Sequence, residues 1–155
     1  MSENRQYFSK TNDELPSNEK IIYGKINEIS FKFKTDNGVF SKDFLDFASK
    51  LLLEKMDFDS ILDGAILDVG CGYGPIGIYA SYITKKAVVM LDINPRAISL
   101  SKENLRLNNV EATVLESDCL DNVIDKKFGL IICNPPIHAG KNVVYKILRL
   151  FTCII

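Results

Sequence analysis

The sequence predicts an α/β fold built on a parallel sheet. Three observations carry the prediction. Short apolar runs alternate with helical stretches from Ala65 onward, and a glycine-rich turn joins the first such run to the helix after it. In addition, 155 residues with 46% hydrophobic and 25% charged composition suit one sizeable core and little beyond it. The alternation matters because parallel strands need long crossover connections, and helices in those crossovers leave the sheet covered on both faces.

Taken in order, Ile21, Ile22 and Tyr23, then Ile29, Phe31, Phe33 and Thr35, follow a period-two pattern between Glu19 and Asp36. This reads as a short antiparallel ribbon, with Gly24 and Asn27 as expected breaks. Asp36-Asn37-Gly38 is a turn signal. Ser41 is the expected cap of a helix whose apolar positions Phe44, Phe47, Ala48, Leu51 and Leu52 fall at helical spacing. Residues 1–55 are therefore expected to form an N-terminal ribbon-and-helix extension, and residues 56–155 the sheet-bearing domain. Its four expected strands are Ala65 to Val69, Ala87 to Leu91, Ala112 to Leu115 and Leu130 to Cys133. Asn94-Pro95 sets a capping side chain before a proline, which starts a helix predicted to run to about Asn108-Asn109. Asn142 to Leu150 is a further expected helix.

Several classes of protein are disfavoured. No repeat is visible, no apolar run approaches the roughly eighteen residues of a membrane span, and Met-Ser-Glu-Asn-Arg has no apolar run behind it. A cytoplasmic location without membrane association is the expectation. Cys71, Cys119, Cys133 and Cys153 form no CxxC pair, and a single His argues against a zinc site, so no metal is expected and the thiols are read as reduced. Nineteen basic against twenty acidic residues show no whole-molecule attraction to nucleic acid, although a local patch would be hidden in that total.

The chemistry is concentrated where strands end. In Leu67-Asp68-Val69-Gly70-Cys71-Gly72-Tyr73-Gly74-Pro75-Ile76-Gly77 the glycines let the backbone approach a ligand at the carboxyl end of a strand, where open α/β sheets bind ligands. Two readings compete. Gly72-x-Gly74-x-x-Gly77 fits a dinucleotide fingerprint, with Asp92 as the acid 20 residues on. The register Asp68-x-Gly70-x-Gly72-x-Gly74 instead resembles the first motif of class I S-adenosylmethionine-dependent methyltransferases. That resemblance implies that Asp68 anchors the amino-acid end of the cofactor and that Asp92, with Ile93 beside it, holds the ribose. A carboxylate at Asp68 faces an ammonium favourably and a pyrophosphate unfavourably.

Cys133-Asn134-Pro135-Pro136-Ile137 decides between them. Asn-Pro-Pro followed by an aromatic or apolar residue resembles the mark of methyltransferases acting on planar amino nitrogens of nucleobases or glutamine amides. An amine conjugated into a ring is a poor nucleophile. The Asn134 side-chain oxygen and the Pro135 carbonyl can accept its two hydrogens and turn its lone pair toward a methyl donor. Asn134, Pro135 and Pro136 are thus the expected catalytic group. Asp68, Gly70, Cys71, Gly72, Gly74, Asp92, Ile93, Asp118 and Asn134 are the expected cofactor site. Asp118 is assigned because the resemblance places an acid for the adenine amino group after the third strand.

A narrower resemblance covers about residues 6 to 145. It rests on Gln6-Tyr7-Phe8-Ser9, Thr35 to Lys42 with Asp46 following, Asp68 to Gly77, Asp92-Ile93-Asn94 with Arg96-Ala97, and Asn134 to Lys141. Together these resemble the small methyltransferase-domain family, whose best-known members methylate guanine N2 in bacterial small-subunit ribosomal RNA. The implied fold is the Rossmann-like class I methyltransferase sheet, and the implied function is S-adenosylmethionine-dependent N-methylation with ribosomal RNA as substrate. The resemblance also sets Gly38 to Ser41 near the cofactor, with Phe40 as part of a lid, and offers His138 and Lys141 as nucleotide contacts. Only 18 residues follow Ile137, whereas the implied sheet has seven strands, so the sequence reads as truncated after the fourth strand and its helix. Alternatives at this point are a protein glutamine methyltransferase, a dinucleotide oxidoreductase, and an inactive remnant that at most binds the cofactor.

Overall fold

A computed structural model describes residues 15–135 together with Lys141, Asn142 and Tyr145. The expectations on Gln6 to Ser9, Pro136, Ile137, His138, Cys153 and most of the Asn142 to Leu150 helix lie outside the described residues. The chain opens with the ribbon, β1 (Lys20–Ile26) and β2 (Ile29–Thr35), paired antiparallel from Lys20↔Thr35 to Ile26↔Ile29. Asn27 and Glu28 both take positive φ at the hairpin, a primed turn whose twist matches that of the strands. Gly24 does not break β1 as expected. It pairs with Phe31, and a Cβ there would come within 3.0–3.3 Å of Leu45 and Phe33, so its small size admits a close neighbour.

The next helix also departs from expectation. α1 spans Phe47–Lys55 and is capped by Asp46, whose carboxylate accepts from the Ser49 N–H at 2.8 Å. Ser41 lies before it at φ +53, and its hydroxyl donates to the Phe44 carbonyl. Phe44, Phe47 and Leu51 stay exposed, while Ser49 and Leu53 face inward.

The sheet that follows alternates as expected: β3 (Ile66–Val69), α2 (Pro75–Thr84), β4 (Val88–Asp92), α3 (Pro95–Leu107), β5 (Thr113–Glu116) and β6 (Leu130–Cys133). All strand pairs are parallel, in the order β5-β4-β3-β6, so every carboxyl end lies along one rim. Asn94 caps α3 by accepting from the Arg96 N–H at 3.0 Å, with Pro95 in the first turn.

The two faces of the sheet are covered differently. On one, Ile66 and Met90 pack with Ile78 of α2, Leu100 of α3 and the ribbon residues Phe31 and Phe33. On the other, Leu67, Val69 and Leu91 meet Leu120, Val123 and Phe128, which belong to a run of turns between β5 and β6 rather than to a helix. Among the described residues, a short, tightly turned connection with three apolar side chains packs on this second face.

The ribbon is fastened by two asparagines one turn apart, Asn104 in α3 and Asn108 at its C-terminal cap. Asn104 is fully buried: Oδ1 accepts from Lys34 N at 2.6 Å, and Nδ2 donates to the Lys34 carbonyl at 2.9 Å and the Tyr73 carbonyl at 2.8 Å. Asn108 treats Lys32 in the same way, at 3.1 and 2.8 Å. The β2 edge that faces away from β1 thus finds its hydrogen-bond partners in helix side chains. Asn104→Ala should leave three backbone groups unpaired, the buried Tyr73 carbonyl and both part-buried groups of Lys34, and lower unfolding free energy by about 3 kcal/mol, the low end of roughly 1–3 kcal/mol for each group. Chemical denaturation checks this, and Asn108→Ala, at a more exposed position, should lose less.

Candidate functional site

The rim of the sheet gathers the expected residues because the strands are in register. Val69 sits beside Leu91 on one side and Cys133 on the other, and Asp92 sits beside Glu116. The loops that follow these strands therefore emerge side by side. They carry Gly70 to Gly74, Ile93 and Asn94, Ser117 and Asp118, and Asn134 and Pro135.

Asp68 is fully buried on β3. Its Oδ2 accepts from the Gly77 N–H in the first turn of α2 at 2.8 Å, and its Oδ1 has no partner among the described residues. Burial pushes its pKa up to about 7; the Gly77 N–H pulls the other way and the charge of Asp92 adds to the rise. A carboxyl with one satisfied and one orphaned oxygen in a dry site calls for a cationic or hydrogen-bond-donating ligand.

The loop after β3 leaves room for one. Gly70 (φ +74) and Gly72 (φ +57) adopt left-handed backbone, and a Cβ at either would meet nothing within 4 Å. Open space there lets a ligand lie against bare backbone. Gly74 serves packing instead, since a Cβ would press on Met90, Ile78 and Ser101 at 3.0–3.1 Å. The Gly70 and Cys71 N–H groups both donate to the Leu91 carbonyl at 2.8 Å, and Ser101 Oγ donates to the Gly72 carbonyl at 2.8 Å. Cys71 itself points inward, its Sγ 3.6 Å from Ser101 Oγ, and burial first, then the charges of Asp92 and Asp68, push its thiol well above the ordinary value. It contributes backbone and packing, not a reactive thiolate.

Asp92 ends β4 with both oxygens engaged: Oδ2 accepts from Gly72 N at 2.8 Å and Oδ1 from Asn94 N at 2.9 Å. Burial raises its pKa, and the N–H groups of Asn94, Gly72 and Ile93 oppose the rise. Each oxygen keeps a further lone pair for a ligand hydroxyl. The loop after β5 is held to the same strand end by the Ser117 N–H, which donates to the Asp92 carbonyl at 2.8 Å. Asp118 follows it, exposed.

Asn134 and Pro135 come directly after β6, both half-buried. The Asn134 amide nitrogen donates to Asp46 Oδ2 at 3.1 Å and to Ser49 Oγ at 2.9 Å. Both amide hydrogens are thereby used, and the oxygen is the atom left to accept from a substrate. Sequence reasoning assigned the cap of α1 to Ser41 and so missed what Asp46 and Ser49 do. The available signal is Asp46 itself, a favoured capping residue placed immediately before the apolar run of the helix.

The stretch before α1 is fixed to the same rim. Asn94 Nδ2 donates to the Gly38 carbonyl at 2.9 Å, and Arg96 donates to the Asn37 and Leu15 carbonyls at 2.5 and 2.8 Å. Arg96 also lies 3.6 Å from buried Asp36. Burial pushes Asp36 up, but the Asn18 N–H, the Ser17 hydroxyl, the Asn37 N–H and the Arg96 charge outweigh it and hold the carboxyl below its usual range. Phe40 is exposed beyond this anchor. Among the described residues no cluster of His, Cys, Asp or Glu could hold a metal ion, and no helix is long and apolar enough to cross a membrane.

Residues 30–153 match the family described as the methyltransferase small domain. An uncharacterized protein of Bacillus subtilis, YbxB, is 41% identical over 92% of this chain and 72% of its own length. A ribosomal RNA small subunit methyltransferase C of Pseudoalteromonas atlantica is 38% identical over 79% of this chain and 35% of its own length. The solved T. thermophilus 16S rRNA N2 G1207 methyltransferase, determined with AdoMet and guanosine, superposes with a TM-score of 0.79 at 25% identity. That match covers 91% of this chain and 40% of the solved one. The chain thus spans only about a third of the curated methyltransferase and two fifths of the solved one.

The orphaned oxygen of Asp68 makes a pH prediction. Below the ordinary carboxyl value of 3.8 the group is protonated both folded and unfolded, and burial carries no ionic penalty. As pH rises toward about 7 the unfolded chain loses this proton before the folded one does, so stability falls, and above about 7 the loss is complete. Asp68→Asn keeps an acceptor for Gly77 and removes the titration. Its melting temperature, ligand-free, should gain on the wild type between pH 5 and pH 8, at about 2–4 °C per kcal/mol for a chain of this size. Parallel pH dependences for the two would refute the assignment.

Proposed function

The chain belongs to the methyltransferase small-domain family, and from that premise we propose that it methylates the exocyclic N2 amine of a guanine in small-subunit ribosomal RNA, with S-adenosylmethionine as donor. The carrying observation is Asn134: its amide nitrogen is tied back to Asp46 and Ser49, so its oxygen is available to an amine on the rim where the acid-glycine loop ends. The choice of acceptor is supported by the relatives, which include proteins named ribosomal RNA small subunit methyltransferase C and a solved enzyme named for guanine N2.

The residues fit the cofactor. In this reading the unpartnered Asp68 Oδ1 takes the ammonium of the cofactor's amino-acid end, directly or through a bridging water. The bare backbone of Gly70 and Gly72 gives it room, Asp92 accepts from the ribose hydroxyls, and Asp118 accepts from the adenine amine. Ile93 lies beside the ribose acid, and Phe40 is proposed to cover the pocket. S-adenosylmethionine supplies, when bound, a methyl group on a positively charged sulfur.

Asn134 and Pro135 do the rest. The Asn134 oxygen and the Pro135 carbonyl accept the two amine hydrogens, which draws the nitrogen out of conjugation with the ring and aims its lone pair. Pro135 suits this because it brings a carbonyl with no competing N–H. Pro136 completes the motif and limits the backbone of Pro135 before it. A guanine inside a duplex has to leave the stack first to reach this rim.

Incubating the chain with methyl-labelled S-adenosylmethionine and unmodified small-subunit RNA, beside a protein extract, tests the reading. Label recovered as N2-methylguanosine is expected; label only in protein would overturn it in favour of a glutamine amide. Asp92→Ala should weaken cofactor binding by about 100-fold or more, since two charge-assisted bonds at roughly 1.5–3 kcal/mol each are lost. Asn134→Ala should keep that binding within a few-fold and lower turnover by about 100-fold or more, as removal of an oriented transition-state partner does elsewhere.

A further inference from the structure

We propose that Asp46 is a positioning residue for methyl transfer, seconded by Ser49: it locks the Asn134 amide with its nitrogen inward, so that the site presents an oxygen to the substrate and admits only a hydrogen-donating group there. The inference deepens the reading of this site as an amino methyltransferase and rests on it.

The geometry runs in one direction. Asp46 is fixed by α1, since its Oδ2 accepts from the Ser49 N–H at 2.8 Å and its carbonyl from the Lys50 N–H at 2.9 Å. The same Oδ2 accepts from Asn134 Nδ2, 88 residues away in sequence, and Ser49 Oγ takes the second amide hydrogen. An ionised carboxylate only accepts hydrogen bonds. Rotating the amide by half a turn would set the Asn134 oxygen against that carboxylate, acceptor against acceptor, and turn N–H groups toward the substrate. The helix cap therefore selects the amide orientation. In guanine the N2 amine donates, whereas N3, N7 and O6 accept, so the locked oxygen favours the amine over the acceptor atoms of the same base.

Exchanging the partners tests this. Asp46→Asn keeps a good cap for α1 but can meet Asn134 in either orientation. On unmodified small-subunit RNA it should lower kcat by about tenfold or more, with S-adenosylmethionine affinity unchanged within about twofold. Ser49→Ala should lower kcat less. Asn134→Asp sets two carboxylates face to face and should be inactive. The double variant Asp46→Asn with Asn134→Asp restores a donor opposite an acceptor and should recover at least about tenfold over Asn134→Asp alone. Hydrogen exchange of the Asn134 side-chain amide, read by NMR, needs no turnover: it should be slow in the wild type and fast in Asp46→Asn.

Wild-type kcat in both Asp46→Asn and Ser49→Ala overturns the inference, as does a double variant no better than Asn134→Asp. Equal amide exchange in wild type and Asp46→Asn overturns it without reference to activity. Full activity of Asn134→Ala instead sinks the reading of the site itself, which keeps the two failures apart.

Discussion

The buried amide of Asn104 is the joint on which the arrangement depends. It bonds at once to the ribbon, through both backbone groups of Lys34, and to the glycine loop, through the Tyr73 carbonyl. A helix residue with all its hydrogen-bonding capacity bar one lone pair so used leaves no slack between three segments far apart in sequence. The loop is thereby held from above by α3 and from below by the Leu91 carbonyl, which takes the N–H groups of Gly70 and Cys71. A left-handed, side-chain-free backbone would otherwise be among the most mobile parts of a small domain.

Three aspartates near the rim illustrate how surroundings divide labour among chemically identical groups. Asp68 is buried with one donor among the described residues, the Gly77 N–H, and its second oxygen has no partner among them. Asp92 is held by the N–H groups of Gly72 and Asn94 and so bridges the loop and the α3 cap while keeping lone pairs for a visitor. Asp46 caps a helix and steadies the amide across from it. The differences follow from the N–H groups within reach of each carboxylate, which the backbone path supplies.

Much of this was legible from the chain. The four parallel strands were found within a residue at each end because buried strands are short, apolar and bounded by turns, and the Asn94-Pro95 cap needs only local geometry. Gly70 and Gly72 stand out because a glycine-rich turn after a strand lets backbone approach a ligand, whereas Asp68 and Asn134 stand out through their resemblance to methyltransferase motifs. What escaped were interactions whose partners lie far along the sequence. Asn104 reads as an ordinary polar helix position until β2 is laid against it. Gly24 looks like a break until Leu45 is seen above it. The cap of α1 was misplaced because Ser41 and Asp46 are both good capping residues, and only the packed helix shows which one the chain uses.

Asp68 has one more consequence, which concerns the protein's persistence in a cell. A buried carboxyl with an open valence for a cation makes the empty fold weaker than the filled one, and any ligand that completes it binds folded chains only. The folded fraction, and with it exposure to proteases, then follows ligand supply by mass action. On the reading of Asp68 proposed above, its oxygen without a partner among the described residues would in this way couple the abundance of the protein to the supply of its cofactor.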